Sequence, residues 1–189
     1  MITRERVMEV LEKTGVLLQG HFLLTSGRHS ERYLQCARIF QYPEYAEEFC
    51  RAIAQYFSHE KPDLCIGPAL GGVIIAYETA RALNTRSLFA ERDKEGAMTL
   101  RRGFSIQPGE RVIILEDVVT TGGSVREVIN VVRKLGGSVC GVGSIIDRSG
   151  KNADFGVPYH ALIDLDVPSY DPADCPLCKQ GVPAVKPGS

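Results

Sequence analysis

Between Val112 and Ser124 the chain reads Val-Ile-Ile-Leu-Glu-Asp-Val-Val-Thr-Thr-Gly-Gly-Ser, an apolar run that meets two adjacent acids and then a loop of hydroxyls and glycines. Val112, Ile113, Ile114 and Leu115 are continuous rather than alternating, the pattern of a strand covered on both faces in a parallel sheet. That puts Glu116 and Asp117 at the end of a strand over 111–116. Ligands of open α/β sheets collect outside the carboxyl ends of the strands, so the acid pair is expected to face a crevice. Thr120, Thr121 and Ser124 supply hydroxyls, while Gly122 and Gly123 let backbone N–H groups come close. A helix starting here adds the positive end of its dipole, which completes a phosphate cradle. Phosphate beside two carboxylates is repelled unless the same ligand also offers them hydrogen-bond donors. The hydroxyls of a phosphorylated ribose meet that need.

The rest of the chain alternates between helix and strand periodicity. Thr3 is placed to cap a first helix with Val7, Val10 and Leu11 at helical spacing, and Gly15 to end it. Residues 16–40 read as a hairpin or hood, with Phe22-Leu23-Leu24, the turn Thr25-Ser26-Gly27-Arg28, and Arg32-Tyr33-Leu34-Gln35. A second helix over 43–58 carries Tyr45, Phe49, Ile53 and Tyr56 or Phe57 on one face, with Pro43 in its first turn. Strands at 63–67, 87–90, 111–116, 139–146 and 161–165 are separated by helices at 72–83 and 124–135. This order predicts an α/β domain over 1–189: a parallel-rich central sheet flanked by helices, a small hood over 16–40 and a C-terminal tail over 168–189.

Three other segments are expected at the same crevice. Gly67-Pro68-Ala69-Leu70-Gly71-Gly72 lies between a strand and a helix, so its amides form either a second anion nest or an ordinary connecting loop. Residues 90–103 are polar and poorly periodic, the pattern of a solvated hairpin. Such a hairpin could close over a ligand, bringing Arg92, Lys94, Arg101 or Arg102 to an anion. Arg148 follows Ile145-Ile146-Asp147 at the end of another apolar strand. Its planar fork suits either a carboxylate-bearing base or a salt bridge to Asp147 or to the acid pair.

With 22 basic and 23 acidic residues the net charge is −1, which gives no electrostatic reason to expect nucleic acid or a membrane surface as partner. No apolar stretch approaches the length of a membrane span, and the charged start Met-Ile-Thr-Arg-Glu-Arg does not resemble a signal peptide. A cytoplasmic protein is expected. Cys36, Cys50, Cys65 and Cys140 sit among apolar neighbours, as buried thiols of a reducing compartment do. Cys175 and Cys178 have the Cys-Pro-Leu-Cys spacing of half a zinc knuckle, but no second Cys or His pair lies near them in sequence; His160 is the nearest candidate. They are expected to be a structural or redox-inert pair, with a metal site, including one shared across a dimer interface, as the alternative.

The segment 112–124 resembles the ribose-phosphate binding motif of the type I phosphoribosyltransferases, which use 5-phosphoribosyl-1-diphosphate (PRPP). The resemblance extends in order along nearly the whole chain and sharpens toward the orotate phosphoribosyltransferases, in particular a short-form, thermophile-like branch. It implies the type I phosphoribosyltransferase fold and transfer of phosphoribose to orotate, giving orotidine 5′-monophosphate and diphosphate in pyrimidine synthesis. Glu116, Asp117, Val118, Val119, Thr120, Thr121, Gly122, Gly123 and Ser124 would bind PRPP, and Ala69, Leu70, Gly71 and Gly72 would form the diphosphate loop. That loop often carries a non-proline cis peptide in the family. Arg148, with Thr120, would bind orotate. Arg92 matches the arginine that opens the family's mobile loop and Lys94 its catalytic lysine, so Glu116, Asp117, Arg92 and Lys94 are the implied catalytic groups.

Thr25-Ser26-Gly27-Arg28-His29-Ser30 resembles the Lys-Ser-Gly-Arg turn of the family, Tyr33 holds a matching aromatic position, and the Pro-Leu-Cys and Val-Lys-Pro-Gly endings look like the short branch. Thr25 and Gly71 stand where the better-known branch has lysines, and the mobile loop is shorter and lacks that branch's histidine. The resemblance further implies magnesium (Mg2+) held mainly through the substrate, and a homodimer whose mobile loop serves the neighbouring subunit's site. No histidine base is required, which leaves His21, His29, His59 and His160 unassigned. A purine phosphoribosyltransferase would share 112–124 without needing Arg148 or the hood. A transcriptional regulator on the same fold would require a helix-turn-helix extension or a basic stripe, neither of which is recognisable in the sequence.

Overall fold

The computed structural model describes residues 2–24 and 26–186. Thr25, expected in the hood turn, and Pro187 and Gly188 of the tail lie outside the described residues. The first helix, α1 (Arg4–Lys13), is capped by Thr3, whose side chain accepts from the Arg6 N–H, and it buries Val7, Val10 and Leu11. Gly15 follows with φ of +65°, the left-handed turn that lets the chain leave the helix. Strands β1 (Leu17–Leu23) and β2 (His29–Leu34) form the antiparallel hood. A 3-10 turn over Cys36–Gln41 leads into α2 (Pro43–Phe57), which buries Tyr45, Phe49, Ile53 and Phe57 and leaves Tyr56 outward.

The main sheet has six strands in the order β5-β4-β3-β6-β7-β8. These are β3 (Leu64–Pro68), β4 (Arg86–Arg92), β5 (Met98–Thr99), β6 (Arg111–Val119), β7 (Ser138–Asp147) and β8 (Tyr159–Asp164). All neighbouring pairs are parallel except β4 with the short edge strand β5. Helices α3 (Gly71–Leu83) and α4 (Gly123–Lys134) make the crossovers. Two buried clusters fill the space on either side of the sheet, one with Phe49, Ile53, Phe57, Ile113 and Leu115, the other with Val112, Ile114, Val128, Ile129 and Val132. Successive residues of β6 thus feed opposite cores, which is why its sequence is apolar without alternation.

Two sequence expectations need correction here. Strand β6 does not stop at Glu116 but runs on to Val119, because β7 keeps pairing with it as far as Val119 and Asp147. On its other side β6 pairs with β3 only through Ile114, opposite Ile66. The acids therefore lie within a strand that has parted from one neighbour and kept the other. Chain connectivity reverses at this place: β3 leads outward to β4, while β6 leads the opposite way to β7 and β8. Such a reversal point is where open α/β sheets bind ligands.

The second correction concerns the tail. Residues 167–186 fold back over the hood, with bridges from Tyr170 to His29 and from Val185 to Phe22. Arg28 adds a hydrogen bond of 2.8 Å to the Ser169 hydroxyl. This path brings Cys175 and Cys178 to His21 and His29, a pair that sequence proximity hides. His160 is elsewhere, on β8, stacked flat on Tyr56 with ring centroids 3.9 Å apart.

Candidate active site

The loop after β6 and the first turn of α4 surround a cavity of about 240 Å³. Glu116, Val118, Val119, Thr120, Thr121, Gly122, Gly123 and Ser124 all line it, together with Arg92 and Glu127. Gly122 precedes the helix with φ of +75°, a conformation that a side chain would strain, and a Cβ there would also meet the Phe155 ring at 2.7 Å. Gly123 opens α4, whose first-turn amides have no intrahelical acceptors and point toward the cavity end of the helix. Four apolar residues, Val125, Val128, Ile129 and Val132, hold the helix on the sheet and so fix where those amides point.

Asp117 faces the other side of the crevice. Its Oδ1 accepts from the Val118 N–H at 2.8 Å, and a Cβ on Gly71 would lie 2.7 Å from that same oxygen. A side chain at Gly71 would therefore require the carboxylate of Asp117 to move. The carboxyl of Glu116 turns back toward its neighbour and accepts from the Asp117 N–H at 3.3 Å. Burial first, and then the adjacent Asp117 charge, push Glu116 well above the usual carboxylate range. Burial raises Asp117 too, against the lowering effect of the Val118 N–H. The ligand-free pair therefore holds on to a proton, and groups that donate to it or neutralise it are favoured.

The loop after β3 carries a cis peptide between Ala69 and Leu70. Its amides are not all free, since the Ala69 N–H donates to the Ala90 carbonyl at 2.7 Å. The nest expected over 67–72 is thereby reduced to the stretch leading into α3, beside Asp117. A Cβ on Gly67 would collide with the Gly72 backbone, so these two glycines let the loop fold tightly on β3.

The Arg148 N–H donates to the Val119 carbonyl at 2.7 Å, which sets this arginine beside Thr120 at the end of β6. Its Nε is buried without a hydrogen-bond partner among the described residues. Burial lowers its pKa, and the nearby Cys36, Tyr33 and Asp166 partly offset this. Neither alternative salt bridge forms: Asp147 instead accepts from the Ser149 N–H at 2.7 Å. The guanidinium as a whole is half-buried, so its remaining donors are open to solvent at the end of β6.

The basic segment forms the expected hairpin, with Glu91 opposite Thr99 and Arg92 opposite Met98. Arg92 lines the phosphate-loop cavity and pairs with Glu127 at 2.7 Å. Arg102 pairs with Glu91 at 3.0 Å, and Arg101 lies 3.7 Å from the same carboxylate. Lys94 is exposed near the hairpin tip and takes part in none of these pairs. Sequence reasoning found Arg92 but missed Glu127, which sits one helical turn beyond Gly123 and could have been found from that spacing. Cys36, expected as a buried thiol, is one, and burial and then Asp117 push its thiol up.

Residues 36–155 match the phosphoribosyl transferase domain. The chain is 58% identical over 188 residues to the orotate phosphoribosyltransferase of Pelotomaculum thermopropionicum, covering 100% of this chain and 98% of that protein. The crystal structure of orotate phosphoribosyltransferase from Aeropyrum pernix superposes with a TM-score of 0.70 at 28% identity, covering 84% of this chain and 93% of the other. Adenine phosphoribosyltransferase from Thermoanaerobacter pseudethanolicus shares the fold, with a TM-score of 0.63 at 16% identity over 71% of this chain and 88% of that one. Coverage from end to end at such identity, on a frame whose strand reversal carries the acid pair and the Thr120–Ser124 loop, shows that this chain belongs to the orotate phosphoribosyltransferases of the phosphoribosyltransferase family.

Proposed function

We infer that this protein transfers the 5-phosphoribosyl group of PRPP to orotate, giving orotidine 5′-monophosphate and diphosphate in pyrimidine biosynthesis. The observation that carries the reading is the meeting, at the end of β6, of the Thr120–Ser124 loop, the proton-retaining acid pair and Arg148, whose backbone is bonded to Val119 and whose Nε has no partner among the described residues. In the reaction a bond forms between orotate nitrogen and the anomeric carbon while the carbon–oxygen bond to diphosphate breaks. Its electron pair leaves with the diphosphate, and the ribose passes through oxocarbenium character.

Each residue has a part in this scheme. The amides and hydroxyls from Thr120 to Ser124 hold the 5′-phosphate and fix the sugar for attack. Glu116 and Asp117 accept hydrogen bonds from the ribose hydroxyls, and their negative field favours the developing positive ring. Donors from the ribose replace the retained proton as the partner that buried carboxylates need. Arg148 receives the orotate carboxylate with its paired donors, beside Thr120. The stretch Ala69–Gly72 takes the diphosphate, and Arg92 and Lys94 on the β4–β5 hairpin offset its charge as it leaves.

Magnesium fits the donor set as a substrate-borne ion. The acid pair supplies hard oxygens, but no cluster of three or more carboxylates lies there among the described residues to form an all-protein cage. Held by diphosphate and ribose oxygens near Glu116 and Asp117, it would supply charge neutralisation to the leaving group.

The reading includes a cytoplasmic homodimer. No helix among the described residues is long and apolar enough to cross a membrane. Leu70, just before α3, and Ile74 and Tyr77 on it are 89%, 43% and 60% exposed and form an apolar stripe that a second subunit would cover. An absorbance assay following orotate loss with PRPP, with and without Mg2+, tests the activity. Turnover of orotate dependent on Mg2+ is expected, with none of adenine, hypoxanthine or xanthine. Turnover of a purine in place of orotate would reject the reading.

A further inference from the structure

The tail and the hood meet at four side chains that the transferase chemistry does not use. His21 Nε2 lies 2.8 Å from His29 Nδ1, 3.4 Å from Cys175 Sγ and 3.8 Å from Cys178 Sγ, and Cys178 Sγ lies 3.2 Å from His29 Nδ1. All four ligand-type atoms fall within 4.8 Å of one another. A tetrahedral zinc with nitrogen and sulfur ligands has edges of about 3.3–3.8 Å. The separations of both sulfurs from His21 and of Cys178 from His29 lie in or close to that range, and the two imidazoles have to open by about half an ångström. Both cysteines are free thiols, Cys175 fully buried and Cys178 exposed.

The proton arrangement points the same way. His21 Nδ1 is 2.7 Å from the Val182 carbonyl, which can only accept, so the proton sits on Nδ1 and Nε2 turns a lone pair toward the cysteines. Imidazoles that bind metal are typically held by such a bond from the second nitrogen to a backbone carbonyl. The carbonyl comes from the same short loop as the thiols. Cys175 precedes the turn Pro176–Lys179, the Gly181 N–H donates to the Cys178 carbonyl at 2.9 Å, and Gly181 with φ of +73° reverses the chain into Val182. On the hood side, the ladder slips between Gln19 and Phe22, a bulge that sets the orientation of His21.

We propose that His21, His29, Cys175 and Cys178 form a closed structural zinc site that pins the C-terminal tail to the N-terminal hood. Two thiolates and two neutral imidazoles in tetrahedral reach suit zinc, and four protein ligands leave no position for substrate. The site has a mechanical task. A two-stranded hairpin is marginal by itself in water, and this one gains the tail as a partner only through a few hydrogen bonds. Metal binding adds its free energy to holding the two segments together.

Protein purified under reducing conditions without chelator is expected to contain about one zinc per chain by elemental analysis. Refolded with cobalt(II), it should show thiolate-to-cobalt charge transfer in the near ultraviolet and the intense visible bands of tetrahedral coordination. Cys178→Ser and His29→Gln should each lose most of the metal, lower the thermal midpoint by about 5 °C or more, and speed hydrogen exchange in the hood and tail. If either variant fails to fold, the cobalt spectrum of the unaltered protein still decides the matter. Protein that binds no zinc when refolded with excess metal, a cobalt spectrum without thiolate charge transfer, or a Cys175–Cys178 disulfide in protein from a reducing cytoplasm would overturn the site.

Discussion

An oxygen of Asp117 lies where a side chain on Gly71 would begin. Gly71→Ala should displace Asp117 while leaving the fold intact, because the collision is with a side chain. Turnover is expected to fall by at least about tenfold with little change in thermal midpoint; an unaltered rate would remove Asp117 from the reacting centre. Asp117→Asn itself should cost roughly 10²–10³ in turnover. The retained proton of the pair gives a pH signature with a definite sign. The folded protein holds the proton more tightly than the unfolded chain, so this contribution to stability is full below the ordinary carboxylate range and is lost as pH rises through the raised folded value. Ligand-free protein should therefore lose stability as pH rises above about 5, and Glu116→Gln should flatten that slope and gain about 1–2 kcal/mol at mildly alkaline pH. Thermal melts across pH would measure it, and parallel slopes for both proteins would contradict the assignment. Arg148→Ala should raise the KM for orotate by roughly 10–100-fold and leave that for PRPP nearly unchanged. The identities of these residues could be read from the chain, but their protonation and packing could not, since both depend on neighbours distant in sequence such as Gly71 and Cys36.

At the scale of elements, the chain was legible wherever one period dominated. Helix α2 shows its buried face in Tyr45, Phe49 and Ile53, and only the structure chooses Phe57 over Tyr56 to complete it. Strand β6 was read three residues short because Glu116 and Asp117 look like an ending, whereas pairing with β7 carries the backbone past them. A one-sided ladder leaves no local trace in side-chain polarity. The knuckle Cys-Pro-Leu-Cys was visible, but its partners lie more than 140 positions away on a hairpin whose bulge no spacing rule announces. The β4–β5 hairpin was expected and is present, with Arg92, Arg101 and Arg102 engaged by Glu127 and Glu91 and with Lys94 outside those pairs. Lys94→Ala is accordingly expected to lower kcat by about 10²-fold with small effects on both KM values. A rise in KM for PRPP with kcat intact would make Lys94 a ground-state binding residue instead.

For the whole molecule, the apolar stripe Leu70, Ile74 and Tyr77 begins in the loop proposed to take diphosphate and continues along α3. A partner covering that stripe would brace the loop, so assembly and activity should fail together. Tyr77→Glu is expected to give monomers by sedimentation and to lower turnover sharply; fully active monomers would show that each subunit suffices. Mixing Arg148→Ala with Lys94→Ala subunits, with exchange verified, should restore part of the activity if the hairpin serves the neighbouring site. The separation of β3 from β6 after Ile66 and Ile114 has a broader consequence. The gap opens where β3 turns into α3, whose Gly72 lies against the Leu115 carbonyl, while β6 continues along β7. A lineage can therefore rewrite the hood and the terminal strap without losing the cleft proposed to seat the pentose.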